Sequence, residues 1–237
     1  EPIRTETLTT HETQFSIVFV FKYMQKNFDV YFPIYTALSL STLVGYAYFS
    51  WIPTVFVRIY GWGIPEIGYA FGLIVLIAGP SGVIICGSLV DLLYKNGKYD
   101  ASVRIALAGS AITLPSAVGL PFAPNAEWAL IIVGAAMFGG AMTSAAGVVA
   151  IVTVTPNQMR GQATAIYLFC ISFLGLSIGA TSVALITDYI FYDEKMLSWS
   201  LSIVCSSSSV CSVLLFWASL RPFYSATQNI EAKSYEQ

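Results

Sequence analysis

Charged side chains are scarce in this sequence. Asp, Glu, Lys and Arg make up 10% of its 237 residues, while apolar residues make up 56%. Soluble globular domains carry about 25% charged residues. A soluble fold with so few charges would lack the polar surface that keeps it dispersed, so the composition excludes an ordinary soluble domain. The net charge of −2 provides no basic surface for phosphate backbones, which excludes nucleic acid as a partner.

Residues that bind metals or perform catalysis are equally rare. The sequence has one histidine, His11, and four cysteines that lie in apolar segments without a CxxC spacing. A zinc site needs a set of such ligands, so we expect no metal and no other cofactor. The segment Gly79-Pro80-Ser81-Gly82 matches the GxSG pattern of rhomboid-type intramembrane proteases, but its serine would need a histidine base within reach. His11 lies in the polar first segment, so we predict no catalytic residue and no enzyme.

The sequence contains several long stretches without any charged residue. A charge at the centre of a bilayer costs about 2.5–3.5 kcal/mol on insertion scales, so the gaps between charges mark the membrane spans. Each gap reaches the roughly 20 residues that a helix needs to cross the hydrocarbon, and none alternates polar and apolar residues as a barrel strand does. We predict an all-α membrane protein with six spanning helices, in the charge-free runs 30–57, 67–90, 105–126, 128–159, 161–187 and 196–220.

The residues around these runs predict the domain organisation. Short connections rich in Gly, Pro and Asn separate the runs, so consecutive helices are antiparallel neighbours. The apolar stretch 15–21 is too short to span before Lys22 and Lys26, and we interpret residues 12–28 as an amphipathic helix in the membrane interface. We predict a cytoplasmic segment over residues 1–29, a six-helix transmembrane bundle over 30–221 and a disordered cytoplasmic tail over 222–237.

Basic residues predict the orientation of the bundle. With a cytoplasmic N-terminus, six spans return the C-terminus to the same side. The outer connections then hold only Arg58 and Lys195 of the 11 Lys and Arg residues. Because cytoplasmic loops carry the excess of Lys and Arg, both termini are predicted to be cytoplasmic. The basic residues on that side are Arg4, Lys22, Lys26, Lys95, Lys98, Arg104, Arg160, Arg221 and Lys233.

The six runs divide into two triplets that repeat one pattern. The second run of each triplet contains small residues followed by a terminal Asp. Three spans per unit is an odd number, so the two units are inserted in opposite orientations, an arrangement found in secondary transporters. Chance recurrence of small residues in apolar helices is the alternative. The residues that repeat are Gly79, Ser81, Gly82 and Asp91 in the first triplet, and Gly175, Ser177, Gly179 and Asp188 in the second.

Four segments resemble the C-terminal half of a major facilitator transporter, helices seven to twelve, and within that superfamily the spinster-like branch. Residues 87–98 (GSLVDLLYKNGK) are similar to the superfamily loop signature G-x-x-x-D with basic residues behind it, although Leu92 stands where an Arg usually follows the Asp. Residues 155–165 (TPNQMRGQATA) resemble the loop between helices ten and eleven of the branch. Residues 179–191 and 220–223 resemble the ends of its helices eleven and twelve.

This resemblance implies half of a twelve-helix fold, built as two inverted three-helix repeats. It implies a secondary transporter that works by alternating access on a small organic or amphipathic anionic solute. The implied partners are the lipid bilayer, the small-molecule substrate and the N-terminal six-helix half, which this sequence does not contain. The implied location is the cell membrane.

The resemblance also assigns candidate site residues. In the family the loop Asp faces the positive end of a helix from the other half, which would make Asp91 a latch, together with Lys95, Lys98 and Arg160; an interfacial charge, or a topology signal in the case of Arg160, is the alternative. Asp188 is the corresponding outer gate candidate. The cavity candidates are neutral, because no Asp, Glu, Lys, Arg or His lies within the six runs; each is also a candidate for helix packing. They are Tyr46, Thr143, Ser144 and Tyr167.

Glycine pairs with a spacing of four predict close helix contacts. Gly68 and Gly72 form one such pair, and Gly175 and Gly179 form the other. Small residues at this spacing let two helix backbones approach closely in a membrane.

Two other functions fit six apolar helices. One is a six-helix channel or carrier that acts as an oligomer, which would need a pore lined by charges or by carbonyls of broken helices. The other is a non-transporting fragment or scaffold.

The predicted threading is tested by labelling two substituted cysteines. Lys98→Cys and Lys195→Cys, each made without the native cysteines, should react with a membrane-impermeant maleimide from opposite sides of the bilayer, since three spans separate them. Labelling of sealed vesicles before and after permeabilisation measures the side. If both positions react from one side, the predicted six-span threading is wrong.

Overall fold

The computed structural model describes residues 17–235, and all of its regular structure is helical. The helices are separated by short turns, and short 3₁₀ or π-helical segments adjoin several of them. The α-helices are α1 Ile17–Lys26, α2 Phe28–Ile59, α3 Ile64–Lys95, α4 Ala101–Gly119, α5 Ala126–Val154, α6 Arg160–Ile171, α7 Ser177–Ile186 and α8 Leu197–Tyr235.

Six helical segments are long and apolar enough to cross a membrane, and they contain the six charge-free runs almost entirely. The fifth is one continuous helix, Asn157–Phe191, in which α6 and α7 are joined by the π-helical segment Ser172–Leu176. The predicted all-α fold with six spans is therefore confirmed. Helices are expected here because each satisfies its backbone hydrogen bonds internally, which lipid requires.

Close glycine contacts join the helices at the centre of the bundle. A Cβ added to Gly109 of α4 would lie 2.6 Å from the carbonyl oxygen of Gly139 in α5. A Cβ added to Gly82 of α3 would lie 2.6 Å from the carbonyl oxygen of Phe138, also in α5. Because real Cβ atoms do not approach this closely, only glycine permits the α3–α5 and α4–α5 contacts that the structure shows.

Hydroxyl groups supply most of the polar contacts in the bundle. Ser212 of α8 donates to the carbonyl oxygen of Ala37 in α2 at 3.0 Å and contacts the Ser41 hydroxyl at 2.8 Å. Many of the other Ser and Thr hydroxyls donate to the carbonyl three or four residues earlier in their own helix, as Thr113 does to Gly109. These bonds keep hydroxyls satisfied without water, and Ser212 links the first span to the last.

The structure differs from the sequence prediction at the C-terminal end. Residues 222–237 were expected to be disordered, yet α8 continues through Pro222 to Tyr235. Phe223 and Thr227, one helical turn apart, are buried, and Thr227 donates to the carbonyl of Phe223. Their packing extends the helix beyond the last apolar run, which the polar composition of this segment did not reveal.

The N-terminal helix lies within the segment predicted to be amphipathic. α1 covers Ile17–Lys26, and residues 12–16 of the prediction lie outside the described range. Val20 is buried while Val18, Phe19 and Phe21 are exposed. The position of α1 in the membrane interface stays a prediction.

The first of the two predicted glycine contacts is absent. Within the described structure, a Cβ at Gly68 or Gly72 would meet no atom within 4 Å, because this face of α3 points away from the bundle. The second pair does lie against another helix: a Cβ at Gly179 would be 2.8 Å from the carbonyl oxygen of Leu43 in α2. Spacing alone could not distinguish an inward face from an outward one.

Two Gly→Ala substitutions should distinguish the close helix contact at Gly109 from the open face at Gly68. Gly109→Ala forces α4 and α5 apart and should lower the free energy of unfolding by about 1–3 kcal/mol, the usual cost of overpacking. Gly68→Ala meets open space and should leave stability unchanged or raise it by about 0.5–1 kcal/mol, since Ala favours helix over Gly. Unfolding of the purified chain in mixed micelles measures both. Equal losses in the two variants would contradict the packing described here.

Candidate functional site

A groove with a volume of about 340 Å³ lies between α2, α3 and α5. It is open on one side, and its wall consists of small and apolar residues with a few hydroxyls. Among the described residues that line it, none carries a charge. The lining residues are Ser41, Thr42, Gly45, Tyr46 and Phe49 from α2, Val75 and Gly79 from α3, and Met137, Gly140, Ala141 and Ser144 from α5.

Two predicted cavity residues, Tyr46 and Ser144, face each other across this groove from α2 and α5. Both side chains are partly exposed. Neither hydroxyl has a hydrogen-bond partner among residues 17–235, whereas the neighbouring Thr42 hydroxyl donates to the carbonyl of Leu38 at 2.8 Å. The Tyr46 and Ser144 hydroxyls therefore remain available to donate to, or accept from, a molecule in the groove.

Glycines give the groove its width and hold Tyr46 in place. Gly45, Gly79 and Gly140 line the groove, and a Cβ at any of them would meet no atom within 4 Å. Behind Tyr46, a Cβ at Gly175 of the fifth span would lie 3.1 Å from the Tyr46 ring carbon Cδ2. Gly175 thus allows the tyrosine ring to pack closely against the fifth span while Tyr46 lines the groove.

A smaller cavity of about 20 Å³ lies behind the groove and shares Ser41, Gly45, Met137 and Gly140 with it. Tyr48 and Ser209 also line this cavity, and both are buried. Within the described part of the chain, neither of their hydroxyl oxygens has a hydrogen-bond partner. A buried hydroxyl without a partner costs stability. Tyr48 and Ser209 therefore place two such hydroxyls in the small cavity next to the groove.

The other two cavity candidates, Thr143 and Tyr167, do not line the groove. Thr143 is fully buried between α4 and α5, where its hydroxyl lies 2.9 Å from the carbonyl oxygen of Gly139 and 3.2 Å from that of Ala106. Tyr167 is buried against Tyr35, with ring centroids 6.0 Å apart in an edge-to-face arrangement. Each therefore packs helices together, the alternative that the sequence left open.

The predicted latch residues lie at one end of the bundle but do not contact one another. Asp91, Lys95 and Lys98 are exposed near the end of α3. Arg160 is exposed at the start of α6, and its Nε donates to the carbonyl of Thr155 at 3.2 Å. Asp91 has no ion pair within residues 17–235. Among the described residues, this half therefore forms no latch by itself, and the carboxylate of Asp91 stays without an ion-pair partner.

An ion pair marks the opposite end of the bundle. Arg58, at the end of α2, lies 3.4 Å from Glu194, just before α8. This pair places the α2–α3 and α7–α8 connections at one end, as the predicted threading requires. Asp188, the outer gate candidate, is exposed in the π-helical segment Thr187–Phe191.

The serine of the protease-like segment has an ordinary helical role. The Ser81 hydroxyl donates to the carbonyl of Ala78 at 3.1 Å. His11 lies outside the described residues. Among those that are described, no three His, Cys, Asp or Glu side chains lie close enough together to hold a metal.

Sequence reasoning missed most of the groove. It selected polar residues singly, whereas the wall is formed by small residues at helical spacing around them. Ser41, Gly45 and Phe49 repeat every four residues on α2, and Met137, Ala141 and Ser144 follow a similar spacing on α5. The helical spacing of these residues around Tyr46 and Ser144 was the sequence signal that could have revealed the groove.

Comparison with solved structures identifies the architecture. A bacterial homologue of the human lysosomal transporter Spinster, in an inward-facing and unoccupied conformation, matches with a TM-score of 0.63 and 12% identity over 92% of this chain. A structure of a bacterial Spinster homologue in an inward-facing and occupied conformation matches with a TM-score of 0.59 and 13% identity over 84% of this chain. The chain has the fold of about half of this transporter structure. It is an integral, multi-pass membrane protein.

The match is to part of a larger molecule. This chain spans 52% and 49% of the two structures it matches. No family model matches the sequence, and no curated protein matches it. The likeness is therefore one of fold, and it confirms the expected fold, which is about half of a spinster-type transporter structure.

Neighbouring residues on α5 provide a test of the groove. In a variant without native cysteines, Ser144→Cys should react with a water-soluble maleimide in detergent, because Ser144 is partly exposed beside the groove. Thr143→Cys should remain unreactive until the chain unfolds, because Thr143 is fully buried. The rate of modification, followed by mass spectrometry, measures both. Equal rates in the folded protein would mean that the groove is not where the structure shows it.

Proposed function

We propose that this chain is the C-terminal six-helix half of a secondary transporter of the major facilitator type. The observation that carries the proposal is the groove between α2, α3 and α5, with the free hydroxyls of Tyr46 and Ser144. A site of this kind, apolar with a few placed polar groups, is typical of small-molecule binding. In this proposal, the groove is one wall of a substrate cavity, and a second six-helix half supplies the opposite wall.

Two helices with little burial support a partner half. Only 17% of the most apolar part of α3 and 18% of that of the fifth span are buried, against 39–44% for the other four spans. These two are the second helices of the two repeats, so the bundle leaves equivalent helices exposed. Their outer faces are available to a partner six-helix bundle, and the open faces of Gly68 and Gly72 lie on one of them.

The inverted repeat supports alternating access. Two units of opposite orientation can exchange roles at the two membrane surfaces, so that inward-open and outward-open states have similar energies. Asp91 near one end and Asp188 near the other occupy matching places in the two repeats. We assign both termini to the cytoplasm from the distribution of Lys and Arg.

The chemistry of the groove limits what this half contributes to the binding of a small organic or amphipathic anionic solute. The described lining offers hydroxyl groups and apolar surface but no cation. An anionic group buried without a counter-charge is costly. We therefore place the apolar body of the solute against this half, and its charged group against the partner half.

Transport by the reassembled protein tests this proposal. The chain and the six-helix half that completes it, reconstituted together in liposomes, should take up at least one member of a panel of radiolabelled sugar acids and amphipathic organic anions. Ala141→Leu narrows the groove and should reduce this uptake about tenfold, since overfilling costs about 1–3 kcal/mol.

Ala111→Leu is the matched control. Ala111 is exposed on α4 and does not line the groove, so the same enlargement there should leave uptake unchanged. Absence of uptake with both folded halves present would refute the transporter proposal. Equal uptake by Ala141→Leu and the unsubstituted protein would refute the groove as the binding wall.

A further inference from the structure

A second, larger cavity lies far from the groove, at the end of the bundle where α4 begins. It has a volume of about 1040 Å³ and is open to the surroundings. The connection between α3 and α4 forms one side, and the part of α8 from Trp217 to Ser225 forms the other. Of the roles described above, only the predicted latch includes one of its lining residues, Lys98.

Among the described residues, three cations and one carboxylate line this cavity. Asp100 is 3% exposed, and its Oδ1 accepts a hydrogen bond from Nε of Arg104 at 2.7 Å. The charge of Asp100 is thereby balanced by Arg104. Lys98 and Arg221 have no ion pair among the described side chains, so the described lining keeps an excess of two positive charges.

The surroundings of these cations are apolar on the membrane side. Trp217, one helical turn before Arg221, is 66% exposed, and Leu214 is 54% exposed. On the facing helix, Arg104 is followed at helical spacing by the exposed residues Ala108 and Ala111. Tryptophan is enriched where hydrocarbon meets the polar headgroups, and cations just beyond such a belt lie at the level of lipid phosphates.

We propose that this cavity binds the phosphate of an anionic phospholipid from the adjacent leaflet. Lys98 and Arg221 contact the phosphate oxygens and supply the two excess positive charges, while Arg104, whose charge Asp100 balances, offers its remaining N–H groups as donors. The acyl chains extend toward the bilayer centre along Trp217 and Leu214. A soluble phosphate would gain the same charge contacts but nothing from the apolar surface below them, which favours the lipid.

Native mass spectrometry of the purified chain tests this site with phosphatidylglycerol as the probe and phosphatidylcholine as the neutral comparison. The unsubstituted chain should retain phosphatidylglycerol selectively. Lys98→Gln combined with Arg221→Gln should weaken that binding by about 25-fold, because each cation near a lipid surface contributes about fivefold in affinity. Lys98→Arg combined with Arg221→Lys keeps the charge and should retain the lipid, which separates loss of charge from loss of folding.

Lys22→Gln combined with Lys26→Gln is the matched control. Both lysines are exposed on α1, which leads into α2 at this same end of the bundle, and neither lines the cavity. This variant should retain phosphatidylglycerol. Equal loss from both double Gln variants, or no loss from either, would overturn the site. Displacement of the lipid by millimolar inorganic phosphate would show a site for soluble phosphate and would also overturn it. None of these measurements depends on transport.

Discussion

The hydrocarbon of a membrane excludes both charge and unpaired backbone groups, and this exclusion determines most of what the chain does. Every span is helical, because a helix pairs its own amide and carbonyl groups. The ionic side chains lie toward the ends of the bundle, where they form the Arg58–Glu194 pair at one end and the Asp100–Arg104 pair at the other. The interior is left with hydroxyls as its polar groups, so helix contacts and the groove use the same chemistry.

The same exclusion explains which features could be predicted from the sequence. Gaps between charges revealed the six spans, because the cost of burying a charge applies to each residue independently of its neighbours. The direction in which a helix face points depends on the other helices, and the sequence does not contain it locally. Gly68 and Gly179 therefore have the same spacing pattern but different surroundings, and adjacent Thr143 and Ser144 differ in burial. The helix after Pro222 was not predicted, because it is stabilised by the burial of Phe223 and Thr227 within a segment of polar composition.

The groove and the basic cavity show how the scarce polar groups are distributed. Where the wall is deep in the bundle, Tyr46 and Ser144 provide neutral hydroxyls, which cost less to bury than a charge and which suit a neutral part of a ligand. Where the wall reaches the headgroup level, Lys98 and Arg221 provide full charges. A molecule with an ionic group would thus meet very different surfaces at the two depths, although both belong to the same bundle.

The π-helical segments of the fifth span have a further consequence. A π turn contains one residue more than an α turn, so Ser172–Leu176 and Thr187–Phe191 each hold a surplus residue on either side of α7. Each surplus residue shifts the register of the side chains, so the helix faces before and after each π segment differ from those of one unbroken α-helix. This shifted register turns Gly175 and Gly179 toward α2, so the support behind Tyr46 depends on an irregularity of the fifth span.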